Sequence, residues 1–240
     1  MNEHSVTQGD SRRSFVSVVT IAGAGLVLGA GKSSAQQAAP AEGKSKPSDV
    51  NATEDLMREH GVLNRVLLIY EEGVRRINAG APPRADLLSS AAEIIRKFIE
   101  AYHEKLEEEQ VFPRLEKVSR LVDLTRVLRA QHAAGQKLTA EILKNANAPA
   151  LKNKGQAQAL VRAIQQFIRM YRPHEAREDT VLFPAFHALF TEEEFDKLGD
   201  QFEQKEQQLL GSGGFEGTVE QVAQLERALG IYDLSKFTPA

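Results

Sequence analysis

Residues 103–113 read HEKLEEEQVFP, and residues 174–184 read HEAREDTVLFP. His, Glu, Glu, Phe and Pro recur at the same offsets, pairing His103 with His174, Glu104 with Glu175, Glu107 with Glu178, Phe112 with Phe183 and Pro113 with Pro184. Residues four apart on a helix stack on one face. His103 and Glu107 therefore point the same way, and so do His174 and Glu178.

The flanking sequence is helical almost throughout, and no period-two strand pattern appears. A first helix is expected over about 53–78, with Leu56, His60, Leu63, Leu67 and Val74 on one face. It stops at the breaker NAGAPPRA. A second, over about 85–111, aligns Leu88, Ala92, Ile95, Ile99, His103 and Glu107, and Phe112-Pro113 should end or kink it. A third, over about 117–145, aligns Leu121, Leu124, Leu128 and His132 and is followed by the loop NANAPALKNKG. A fourth, over about 157–181 or a little beyond, carries Leu160, Ala163, Phe167, Met170, His174 and Glu178, with a kink expected at Pro173. Two more follow. One starts at Thr191, with Glu194 completing a capping box, and runs to about Leu210. The other lies near 218–229, after the breaker GSGG. Four long helices with short connections give an all-α, up-down-up-down four-helix bundle with its apolar stripes inward. The two C-terminal helices either cover the bundle or offer a homodimer interface.

Each bundle helix carries one histidine on its apolar stripe: His60, His103, His132 and His174. His60 and His103 are nearly equidistant from the turn between them, and so are His132 and His174. Antiparallel packing then puts all four at one height, together with Glu107 and Glu178. Burying six such groups without partners costs several kcal/mol each, and a cation satisfies them. Four imidazoles and two bridging carboxylates suit two first-row metals, each taking two His and one oxygen from each Glu, with one position left open. That set fits iron or manganese better than a closed structural zinc site. His187 falls more than three turns from this layer. Glu104, Glu108, Glu109, Glu175 and Asp179 read as the wet face of their helices. Tyr102 and Tyr171 fall near enough to supply hydrogen bonds.

Composition narrows the chemistry. The 240 residues are 42% hydrophobic and 26% charged, with net charge -3 and both signs mixed. Nothing suggests a basic face for nucleic acid. There is no cysteine, so thiolate metal sites, disulfides and cysteine nucleophiles are excluded. Residues 1–35 have the order of an export signal: Arg12-Arg13, an uncharged stretch over 14–31, then Ser33 and Ala35 as a small-x-small cleavage pattern. The paired arginines with Phe15 resemble a twin-arginine signal. They imply the twin-arginine export machinery as a partner and a periplasmic location, or a membrane anchor if the signal is not cleaved. Residues 36–51 read as a flexible linker, 52–190 as the bundle and 191–240 as a helical extension.

The motif as a whole resembles the hemerythrin-like, or HHE cation-binding, family. That resemblance implies a four-helix bundle around a non-haem di-iron centre. Its pattern is a lone His on the first helix, His-x3-Glu on the second, a His on the third, and a His with a carboxylate on the fourth. The matching positions here are His60; His103 with Glu107; His132; and His174 with Glu178. The oxygen carriers of the family have a second His one turn after that of the third helix; here the position is Gln136. Four His rather than five leaves open positions on both metals. Iron–sulfur repair members have a similar ligand set, but their cysteine-paired helper domain is missing from this chain.

The expected cofactor is two iron ions with a solvent-derived bridge, or manganese in their place. The expected function is binding of O2, NO or peroxide for sensing, buffering or delivery. A peroxidase- or oxidase-like enzyme and an iron-storage module share the same ligand set, and a metal-free interaction bundle is the fourth reading. The sequence shows no substrate-pocket motif, which reads against a dedicated enzyme.

Overall fold

A computed structural model describes residues 50–239. The segment read as an export signal, and nearly all of the linker, lie outside them. Seven helices follow in order: α1 (Ala52–Asn78), α2 (85–117), α3 (Val122–Asn145), the short α4 (Ala148–Lys152), α5 (154–187), α6 (Glu192–Leu210) and α7 (Gly214–Leu229). Among the described residues there is no strand. Nor is any described helix long and apolar enough to cross a membrane.

The helices start and stop where local chemistry dictates. The Asn51 side chain accepts the Glu54 N–H and caps α1, with Glu54 and Asp55 in its positive first turn. Thr191 and Glu194 form the reciprocal capping box at α6. The four long helices close a ring: α1 packs on α2, α2 on α3, α3 on α5, and α5 back on α1. Leu56, Leu63, Leu67, Leu88, Ile95, Ile99, Leu128, Leu160 and Phe167 are all buried within it. Tyr70 of α1 meets Phe167 of α5 edge to face, with ring centroids 5.6 Å apart. Such aromatic pairs add about 1 kcal/mol beyond the area they bury.

Several boundaries differ from the sequence reading; α7, for one, opens at Gly214 rather than near 218. First, Phe112-Pro113 and Phe183-Pro184 do not terminate their helices, which run on to Lys117 and His187. Each Phe-Pro follows a π-helical turn, Glu107–Val111 and Glu178–Leu182. There the Phe112 N–H bonds to the Glu107 carbonyl and the Phe183 N–H to the Glu178 carbonyl. A proline in a regular α-helix clashes with the carbonyl four residues back. Widening the preceding turn relieves that clash, so the helix absorbs the proline. Second, α3 begins at Val122 rather than near 117, because Ser119 and Leu121 take left-handed backbone in the turn before it. Third, the expected loop after α3 holds a helical turn, α4, capped by Asn147, and α5 starts at Lys154 under the Asn153 side chain. That helix continues through Pro173.

The C-terminal helices cover the bundle. Both α6 and α7 pack on α1, and α7 also packs on α2. Arg65 of α1 grips Glu226 of α7 with two nitrogens, Nε at 3.1 Å from Oε1 and Nη2 at 2.5 Å from Oε2. Arg76 donates to the Leu229 carbonyl at the end of α7, 2.8 Å away. A guanidinium there satisfies a carbonyl that the helix itself cannot.

Candidate metal centre

The ring of helices brings His60, His103, Glu107, His132, His174 and Glu178 into one buried layer. Their arrangement is ordered by pairs. His60 and His103 face each other with Nε2 atoms 3.1 Å apart. His132 and His174 form the second pair, with ring centroids 5.1 Å apart. Each carboxylate reaches both pairs. Glu107 has Oε1 3.8 Å from His103 Nε2 and Oε2 3.4 Å from His132 Nε2. Glu178 has Oε2 3.4 Å from His60 Nε2 and Oε1 3.1 Å from His174 Nε2.

Every imidazole is held from behind through Nδ1. His60 donates to Asp179 at 2.7 Å, His103 to Glu59 at 2.5 Å, His132 to Glu108 at 3.1 Å, and His174 to the Gln131 amide oxygen at 2.9 Å. A proton fixed on Nδ1 turns the Nε2 lone pair inward, as a metal-ligating histidine requires. The two halves of the bundle repeat this wiring. The residue before each lone histidine, Glu59 or Gln131, backs the motif histidine of the next long helix. The acid five after each motif histidine, Glu108 or Asp179, backs a lone histidine: His132 for Glu108, His60 for Asp179. The phenylalanines repeat too. Phe183 stacks on His60 at 5.5 Å between ring centroids, and Phe112 on His132 at 5.6 Å.

These groups fit a cation. Both oxygens of Glu107, both of Glu178, and His132 Nε2 are fully buried with no hydrogen-bond partner. Unpaired carboxylates in such a place cost several kcal/mol. The electrostatics show the same demand. Burial works against charge on His60, yet its hydrogen bond to Asp179 and the carboxylate of Glu178 3.4 Å away outweigh that and lift its pKa well above the ordinary value. Burial is likewise overcome at His132, which Glu107 and Glu108 push up to about 10. Burial brings His103 down to about 4. Glu178 falls below the usual carboxylate range despite its burial, because His174 and His60 favour its charge. Protons thus serve as counter-ions wherever a metal is not supplied.

A family model for the hemerythrin HHE cation-binding domain matches residues 51–186. The chain belongs to this family. A hemerythrin-type domain implies metal-ion binding, and the buried His/Glu layer is where this one offers it. Uncharacterized proteins of Mycobacterium tuberculosis and Mycobacterium bovis are 47% identical to it over 208 residues, covering 84% of this chain and 82% of theirs. No solved structure matches it.

Around this hemerythrin-type layer the structure corrects the wet-face reading. Glu104 and Glu175 are buried, and Glu108 and Asp179 hold histidines. The Tyr171 hydroxyl donates to Glu104 at 2.6 Å, and its ring lies 5.4 Å from that of His174. Glu175 accepts from Asn64, and burial pushes its pKa up to about 8. Glu59 and Gln131 carried no prior expectation. The signal for them was positional, since each directly precedes a lone histidine. His187 stays outside the layer, half-exposed and stacked on Phe195.

Proposed function

We propose that the buried layer holds two iron ions and that a small ligand, O2, NO or peroxide, binds there for sensing, buffering or delivery. One ion would take His60 and His103, the other His132 and His174, with Glu107 and Glu178 shared between them. One observation carries this reading: four inward Nε2 atoms and four unpartnered carboxylate oxygens converge, with every Nδ1 tied outward. A redox-active ion pair held by only six protein groups supplies open coordination positions and electrons. The chain's own residues set the rest. Asp179, Glu59, Glu108 and Gln131 fix the rings, while Phe112 and Phe183 pack apolar surface over them and limit the entry of water.

The test is iron per chain in protein made under iron-replete conditions. About two irons are expected from the ligand count, falling sharply in His174→Ala. A folded helical protein with near-zero iron under those conditions would sink the reading. Reversible spectral change on cycling oxygen supports carriage or sensing.

A second reading has one observation in its favour. The buried Tyr171 phenol, bonded to Glu104 beside His174, is placed to pass a proton and an electron toward the layer. Steady reduction of peroxide to water at the expense of an added electron donor, which would restore the Tyr171 phenol after each electron it gives, would mark a redox enzyme if it is lost in Tyr171→Phe with iron content unchanged.

A further inference from the structure

Behind His103, on the side away from the histidine layer, three carboxylates meet. Asp55 and Glu59 lie one turn apart on α1, and Glu206 comes from α6. One oxygen of each lies within 4.8 Å of the others. Glu59 and Glu206 are buried, and the Asp55 side chain is only 16% exposed.

Their oxygens are only partly used. Glu59 Oε2 serves His103, while Glu59 Oε1 is fully buried and has no partner. Glu206 Oε1 accepts the Phe215 N–H at 2.7 Å. The backbone is shaped to permit this. Gly214 sits at φ +44°, and a Cβ there would stand 2.2 Å from the same oxygen. The Tyr102 hydroxyl supplies an independent observation. It is buried, makes no hydrogen bond of ordinary length, and stands beside Glu59, with Asp55 and Glu206 also near. The nearby cation is Arg58, 3.6 Å from Asp55, but it is shared with Glu216 at 3.8 Å and lies over the Phe215 ring. One divided guanidinium does not balance three carboxylates in a pocket of this depth.

We propose that Asp55, Glu59 and Glu206 form a second cation site, separate from the histidine layer, for a hard divalent ion of the calcium type. Oxygen-only donors exclude the softer metals that imidazole favours. Three carboxylates that can bind through one or two oxygens, completed by water on the Asp55 side, suit the flexible coordination of Ca2+ better than the strict octahedron of Mg2+. The site also explains the extension. Glu206 lies beyond residues 51–186, so the family domain alone is one ligand short. Through Glu59, an ion here touches the residue that orients His103.

The experiment is calorimetric titration of the purified full chain with Ca2+, alongside Tb3+ luminescence. The chain has no tryptophan and four tyrosines, so phenols alone can sensitise Tb3+. Wild type should bind one Ca2+, and Ca2+ should displace a tyrosine-sensitised Tb3+. Asp55→Asn and Glu206→Gln should each weaken Ca2+ by about tenfold or more, because affinity in oxygen sites follows ligand charge. Both should keep wild-type helicity and wild-type iron content. Tyr102→Phe should lose most Tb3+ emission but keep the Ca2+ heat. No Ca2+ heat in wild type would overturn the proposal and leave the three carboxyls to be neutralised by protons. Binding unchanged in both carboxylate variants, or lost only together with iron, would overturn it equally.

Discussion

Glu59 and Gln131 occupy equivalent places in the two halves of the bundle, yet one is an acid and the other an amide. A carboxylate behind an imidazole raises its basicity more than a neutral carbonyl does. The His60–His103 pair is backed by two carboxylates, Asp179 and Glu59. The His132–His174 pair is backed by Glu108 and Gln131. Anaerobic titration with Fe2+ should therefore show two unequal steps. Gln131→Glu should tighten the weaker step by about tenfold, the usual reach of a group behind a ligand. Equal steps in the wild type would contradict this. The same wiring sets a pH dependence. His132 keeps its proton up to about 10, so a metal at neutral pH must displace it from Nε2. Affinity should rise with pH by about tenfold per unit for each proton displaced, and loading should acidify a weakly buffered sample. In the folded protein without metal the sign is opposite. The protonated His132 stabilises the fold below its unfolded value near 6.5, and that contribution disappears as pH passes through about 10.

At α3 and α5 the decisive fit is between Gly135 and Tyr171. A Cβ at Gly135 would lie 2.0 Å from the Tyr171 hydroxyl and 2.8 Å from the ring carbon that bears it. Gly135→Ala should cost about 1–3 kcal/mol by overpacking, measured by denaturant unfolding. Adding Tyr171→Phe should recover part of the loss. Full additivity of the two would show that they do not meet. The same helices show what the sequence made legible. The histidine stripe and the i, i+4 carboxylates were readable because helical periodicity places them on the apolar face. Glu104 and Glu175 were not, although both recur in the repeat. A residue next to a stripe histidine is turned about 100° away, which on an isolated helix means solvent. In a closed ring of four helices it means the seam with a neighbour. The Phe-Pro pairs misled for a related reason: proline rules describe α-helices, and here the preceding turn is π.

In the molecule as a whole, the extension acts as a cover rather than an appendage. Glu226 is nearly buried beneath Arg65, and removing it strands a guanidinium against α1. Glu226→Ala should lower stability by about 1–3 kcal/mol without changing iron content. Loss of iron in that variant would mean that α7 also shapes the histidine layer. The periodicity of α6 and α7 was readable from sequence, but the surface they cover was not. An amphipathic helix advertises an apolar face, not the partner that receives it.

The pairing of histidines across turns has a further consequence. His60 and His103 are 43 residues apart, and His132 and His174 are 42 apart, so an ion held by either pair closes a long chain loop. In a polypeptide without cysteine, that is the office of a disulfide. Tying such a loop removes about 4 kcal/mol of unfolded-chain entropy. Were Glu107 and Glu178 shared between two such ions, they would lash the loops to each other, and a chelator would act on this protein as a reductant acts on a secreted one.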